Sequence, residues 1–72
     1  MGGHAPISLR EFVTLVKSWN CAIRRRKKEW DIVDQLDEMW VSSFATLKGR
    51  YVKAVYRDVF LNLIKMKRGK DK

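Results

Sequence analysis

Apolar residues recur every three or four positions in three successive segments of this chain, the spacing that places side chains on one face of an α-helix. The first segment begins at Ser8, which together with Glu11 fits a helix-capping box. Its apolar stripe contains Leu9, Phe12, Val13, Val16, Trp19 and Ile23. We therefore predict a first helix over residues 9–27.

The second and third segments also have helical spacing. Acidic residues follow Asp31 closely, as they do at helix N-termini, and Gly49 suits the position just after a helix. These signals predict helices over residues 31–48 and 50–67, and hence an all-α fold, a small three-helix bundle. The predicted core contains Phe12, Val16, Trp19, Ile23, Val33, Leu36, Trp40, Phe44, Leu47, Val52, Val55, Val59 and Leu63.

The third predicted helix is apolar on more than one side. Ala54, Leu61 and Ile64 form a second strip, and Phe60 connects this strip to the main stripe. A helix in a three-helix bundle needs only one buried stripe. We therefore expect Ala54, Phe60, Leu61 and Ile64 to contact a second copy, giving a homodimer, or a protein partner. The alternative is that this helix is the most buried one of a monomer.

The length of 72 residues allows one domain. We assign it to residues 8–67, with residues 1–7 as a disordered lead-in or cloning remnant and residues 68–72 as a disordered basic tail. Cys21 is the only cysteine and His4 the only histidine, so we expect no internal disulfide, no metal and no cofactor. The helical pattern places Cys21 away from the apolar stripe, where we expect a solvent-facing thiol.

The charge of the chain narrows its possible partners. Sixteen Lys and Arg against eight Asp and Glu give a net charge of +8, which attracts anionic partners. No apolar run is long enough for a membrane span or a signal peptide, so we expect an intracellular protein of the cytoplasm or nucleus. Catalysis needs a positioned nucleophile, a base or a metal, and this sequence offers no such set. We predict that the protein is not an enzyme.

The basic residues form a pattern on the first predicted helix. Arg10, Lys17, Arg24 and Lys28 are separated by seven, seven and four positions, which aligns them along one flank of a helix. Such a basic ridge could follow the phosphates of a nucleic acid without reading its sequence. We predict nucleic-acid binding, to RNA or DNA, through Arg10, Lys17, Arg24, Arg25, Arg26, Lys27 and Lys28, supported by Lys48, Arg50, Lys53 and Arg57.

Two other functions fit the same residues. Apolar anchors on the first and third helices could make the chain a protein-interaction or oligomerisation module with an acidic partner. The basic ridge could also lie on an anionic membrane surface. A third interpretation needs no partner, because cations near a helix C-terminus also stabilise the helix dipole.

Trp40, Phe44, Leu47, Lys48 and Tyr51 follow a spacing that resembles the last helix of Myb-like and MADF-type DNA-binding domains. Trp30 and Val33 are similar to residues of the preceding helix in those families. Only ten positions separate Trp30 from Trp40, which leaves no room for the turn between the two helices of those domains. The resemblance is in line with nucleic-acid binding and identifies no family.

Overall fold

The computed structural model describes residues 5–69, which form two helices and six strands. The elements are β1 (Ile7–Ser8), α1 (Leu9–Ser18), β2 (Cys21–Arg25), β3 (Trp30–Asp34), β4 (Met39–Phe44), β5 (Thr46–Leu47), β6 (Tyr51–Val52) and α2 (Ala54–Gly69). The prediction of an all-α three-helix bundle is therefore wrong, and the protein has an α+β fold. The predicted helices over 9–27 and 31–48 are replaced by a shorter helix and by strands.

Helix α1 begins where the capping box predicts and ends much earlier than expected. Ser8 Oγ accepts a hydrogen bond from the Glu11 backbone N–H over 3.0 Å, which fixes the start of the helix. Asn20 adopts a left-handed conformation with φ 61°, and its N–H donates to Lys17 O over 2.9 Å. This arrangement ends a helix. The chain therefore turns back at Asn20 and enters β2 along the flank of α1.

The main sheet is an antiparallel meander in which β3 lies between β2 and β4. Ile32 pairs with Ser42, but the next residue, Val33, pairs with Trp40, so Val41 is an extra residue in β4. This is a β-bulge, and Val41 is buried within it. A smaller sheet, with strand order β1-β6-β5, continues from the end of β4. Gly49 lies in the turn between β5 and β6, with φ 70°, and does not follow a helix.

Both helices pack on one face of the main sheet. The Phe12 ring of α1 lies 4.6 Å from Phe44 of β4 and 6.4 Å from Phe60 of α2, measured between ring centroids. Burial of the predicted core residues Phe12, Val16, Phe44 and Val52 is confirmed. The prediction is wrong for Leu36, Trp40, Val55, Val59 and Leu63, which are exposed.

Cys21 is buried, contrary to the expectation of a solvent-facing thiol. It lies at the start of β2 on the core face of the sheet and is only 2% exposed. Burial raises the pKa of its thiol, and the nearby charge of Asp34 raises it further. The error follows from the length given to the first helix, because Cys21 belongs to a strand and its side chain follows a strand's alternation.

Asp34 joins the end of β3 to the last turn of α2. Its carboxylate, 1% exposed, accepts hydrogen bonds from Lys67 Nζ at 2.9 Å and from Arg68 Nη2 at 3.0 Å. The Leu36 N–H donates to the same carboxylate over 2.9 Å. Burial raises the pKa of Asp34, but the hydrogen bonds from Lys67, Leu36 and Arg68 outweigh burial and hold the pKa at about 2. Arg68 lies in the last turn of α2, and residues 1–4 and 70–72 of the expected lead-in and tail lie outside the described residues.

Candidate nucleic-acid interface

The strand pairing defines two ends of the main sheet. Arg25, Trp30 and Phe44 pair across the three strands at one end, next to the hairpin that connects β2 to β3. Cys21, Asp34 and Met39 pair at the other end. Because the run of five cations begins at Arg24, all of it lies at the hairpin end.

The helices bring further cations to the hairpin end. Helix α1 packs against β2 and connects to it through a tight turn, so the helix start lies beside the hairpin. The Leu9 N–H donates to Arg50 O over 2.8 Å, which holds the β5–β6 turn against the start of α1. The last turn of α2 contacts Asp34, which lies at the end of the sheet away from the hairpin. The first residues of α2 therefore lie toward the hairpin end. We call this region the basic end: Arg10, Arg24, Arg25, Arg26, Lys27, Lys28, Lys48, Arg50 and Lys53.

Most cations of the basic end have no acidic partner in the described part of the chain. Within residues 5–69, Arg26 is the one cation of this set that forms ion pairs, to Glu29 over 3.4 Å and to Asp31 over 2.8 Å. Residues 24–28 are all exposed. A depression of about 660 Å³ is lined by Arg26, Lys27, Lys28 and Glu29. The hairpin thus presents positive charge that is free to bind an anion.

Two arginines of the hairpin are held in place, Arg25 by an aromatic ring and Arg26 by a carboxylate. The Arg25 guanidinium lies 5.3 Å from the Trp30 ring centroid, a cation–π contact, and Trp30 stacks on the buried Phe44 at 5.9 Å. Arg26 binds Asp31, and Asp31 in turn accepts a hydrogen bond from Trp40 Nε1 over 3.2 Å. These contacts reduce the conformational freedom that the two arginines would lose on binding.

The face of the main sheet opposite the core carries no helix in the described part of the chain. Strand alternation places Arg24, Asp31 and Ser43 in one row of this open face, and Ala22, Val33 and Trp40 in the next. Trp40 is 59% exposed although its indole N–H is bound. The open face therefore combines a fixed, exposed aromatic ring with the cations of the adjoining hairpin.

The fold gathers most of the predicted binding residues, although no helical ridge exists. Lys17 lies apart, in the last turn of α1, and Arg57 is one turn into α2 and pairs with Asp58 over 3.3 Å. The residues of the Myb-like spacing are distributed over β4, β5, β6 and the connecting turn. Sequence reasoning missed the positions of Trp30 and Trp40. Trp30, Asp31 and Ile32 alternate as in a strand, but Val33 and Asp34 reverse the order of apolar and polar residues, so the signal is too short to predict one.

The predicted partner-contact residues are placed differently by the structure. Phe60 and Ile64 are fully buried and Ala54 is 5% exposed, so all three belong to the core of the single chain. Leu61 packs against the core and is partly buried. The exposed side of α2 is instead the stripe that the sequence assigns to the core.

No group of three or more His, Cys, Asp or Glu side chains within residues 5–69 is arranged to hold a metal ion. Neither α1 nor α2 combines the length and hydrophobicity that a membrane-spanning helix needs. Comparison with protein-family models, curated proteins and solved structures gave no match to this chain.

Proposed function

We propose that this protein binds nucleic acid through its basic end, by contacts to the phosphate backbone that are largely independent of sequence. The observation that carries the proposal is the exposed run of five cations over residues 24–28 at the hairpin end of the main sheet, of which only Arg26 forms ion pairs within residues 5–69. The strand and helix order brings Arg10, Lys48, Arg50 and Lys53 toward the same end. Clustered cations favour binding to nucleic acid because neutralising the phosphates releases their condensed counterions.

The distribution of acidic residues supports the same function. Asp34 and Asp37 lie at the opposite end of the sheet and are paired with Lys67 and Arg68, which also lie there. These carboxylates consequently do not neutralise the basic end, where Glu29 and Asp31 form ion pairs with Arg26. Arginine can bind phosphate through two parallel hydrogen bonds, so Arg24 and Arg25 are the strongest candidates for direct contacts.

The open sheet face extends the binding surface. Unpaired bases stack on exposed aromatic side chains, and this stacking tolerates any base. Trp40 offers such a ring on the open face, in the row next to Arg24 and Asp31, and its hydrogen bond to Asp31 keeps the ring in place. A strand whose phosphates lie along the hairpin could therefore place one unpaired base on Trp40.

The test compares two lysines that differ in position and not in chemistry. Lys28→Glu changes the hairpin, whereas Lys17→Glu makes the same change of charge in the last turn of α1. Fluorescence anisotropy is measured with a labelled 20-nucleotide strand and the matching duplex over a range of salt concentrations. We expect Lys28→Glu to lower affinity at least about tenfold and to reduce the salt slope by about one phosphate contact. Lys17→Glu should change the affinity and the salt slope much less.

The outcomes separate this function from its alternatives. Equal losses in the two variants, with both folded by circular dichroism, would mean that net charge alone drives binding and would overturn the proposal. Absence of binding at low salt would overturn it as well. Vesicles of anionic lipid serve as a further probe, and binding to vesicles without binding to either oligonucleotide would favour a membrane surface instead.

A further inference from the structure

Helix α2 has an exposed apolar stripe along its whole outer side. Val55 is 56% exposed, Val59 42%, Leu63 40% and Met66 63%. The steps of four, four and three positions place all four on one face, opposite the buried Phe60 and Ile64. Single exposed apolar residues are ordinary, but a continuous stripe about 16 Å long indicates a contact surface.

The polar flank of this stripe complements itself. Asp58, Asn62 and Lys65 are separated by four and three positions, so they line one side of the stripe. The Asp58 side chain is 48% exposed, and Lys65 is exposed and forms no ion pair within residues 5–69. One flank therefore carries an acid near the start of the helix and a base near its end.

We propose that two copies of this chain dimerise through antiparallel packing of their α2 helices. A two-fold axis between antiparallel helices brings the same flank of each together in reverse order. Residues at equal distances before and after the centre then meet. Asp58 of one copy would meet Lys65 of the other, twice in the dimer, with Asn62 near the axis.

The apolar residues fit the same centre as the charges. Val59 and Leu63 lie at equal distances before and after residue 61. The midpoints of the pairs Val55 with Met66 and Asp58 with Lys65 fall within about one residue of the same point, or about 1.5 Å of helix rise. A surface built for an unrelated partner would have no need of this symmetry. The dimer would leave the two basic ends facing away from each other, because each lies at the start of its own α2.

The first test is the mass of the chain in solution without nucleic acid, so it is independent of the function proposed above. We expect a dimer by sedimentation equilibrium. Leu63→Glu should raise the dimer dissociation constant at least about a hundredfold by placing a charge in the apolar stripe. Leu36→Glu is the matched control, since Leu36 is 64% exposed on the β3–β4 turn and should leave the dimer unchanged.

The second test exchanges the flanking charges. Asp58→Lys alone and Lys65→Asp alone should each weaken the dimer, because like charges would then meet at both contacts. The double variant should recover it, and a mixture of the two single variants should form a heterodimer. A monomer at concentrations up to about 1 mM would overturn the proposal. A dimer that is indifferent to Leu63→Glu or to the charge exchanges would overturn it equally, since another surface would then be in use.

Discussion

Replacing Asp34 with asparagine removes the negative charge that holds the last turn of α2 against the main sheet. The pKa of Asp34 falls from an ordinary 3.8 to about 2 in the folded protein, as described above. At about 1.4 kcal/mol per unit, the charged form stabilises the fold by about 2 kcal/mol. Since the folded pKa is the lower one, this contribution is complete at neutral pH. It decreases as the pH falls through 3.8 and is lost below about 2.

Urea denaturation between pH 2 and pH 7 measures this effect. Asp34→Asn leaves Lys67 and Arg68 without their buried partner, and breaking a buried ion pair in this way typically costs about 3–5 kcal/mol. The difference in free energy of unfolding between wild type and variant should therefore be largest at neutral pH and should decrease by about 2 kcal/mol on acidification. Asp37→Asn is the control, because it faces the same Lys67 with a 44% exposed side chain and should have a much smaller effect.

A titration of the wild-type carboxyl carbons by NMR tests the same reasoning without a variant. A pKa for Asp34 at or above 3.8 would refute the account of the ion pairs. A difference in free energy of unfolding between wild type and Asp34→Asn that does not depend on pH would refute it as well.

The remaining predictions concern Cys21 and Trp40. Because Cys21 is buried and its pKa is raised, we expect a thiol reagent to label it slowly in the native protein and quickly in denaturant; equal rates would place it at the surface. Trp40→Ala should lower affinity for a single strand about fivefold or more and leave duplex affinity nearly unchanged. Equal losses on both would remove Trp40 as a stacking surface. Circular dichroism checks that the Trp40→Ala variant is folded.

The parts of the fold that the sequence predicts are those determined by local signals. The capping box at Ser8 located the start of α1, and the apolar spacing of Phe12 and Val16 identified their burial. Asn20, which ends α1, was a readable signal because asparagine tolerates the left-handed conformation after a helix. Because the predicted first helix continues beyond Asn20, it wrongly includes Cys21 and Ile23, which belong to β2.

The sheet was missed because a bulge hides its alternation. Val41 interrupts the two-residue period of β4, and Val33, Trp40 and Phe44 then happen to recur at helical spacing. The pairing of β1 with β6, which joins Ile7 to Val52 and Ser8 to Tyr51, is a non-local arrangement that no window of sequence displays. The basic end depended on this arrangement, so its cations could be identified as candidates while their common location could not.

For α2 the sequence identified two apolar strips and assigned them to the wrong sides. Spacing shows that Val59 and Leu63 share one strip and that Phe60 and Ile64 lie close together on the helix. It does not say which strip faces the sheet. The larger Phe60 fills the space beside Phe12, and this packing decides the orientation of the helix.

Within residues 5–69, the unpaired cations of the hairpin lie at one end of the main sheet, and the paired carboxylates of Asp34 and Asp37 lie at the other. In the field of a long polyanion, a protein with such an uneven charge distribution would turn while it approaches, so that the β2–β3 hairpin arrives first. Orientation is the usual limit on how fast two specific surfaces associate, commonly about 10⁵–10⁷ M⁻¹s⁻¹ without steering. Capture faster than this range at low ionic strength, slowing steeply as salt is added, would be the kinetic sign of this polarity.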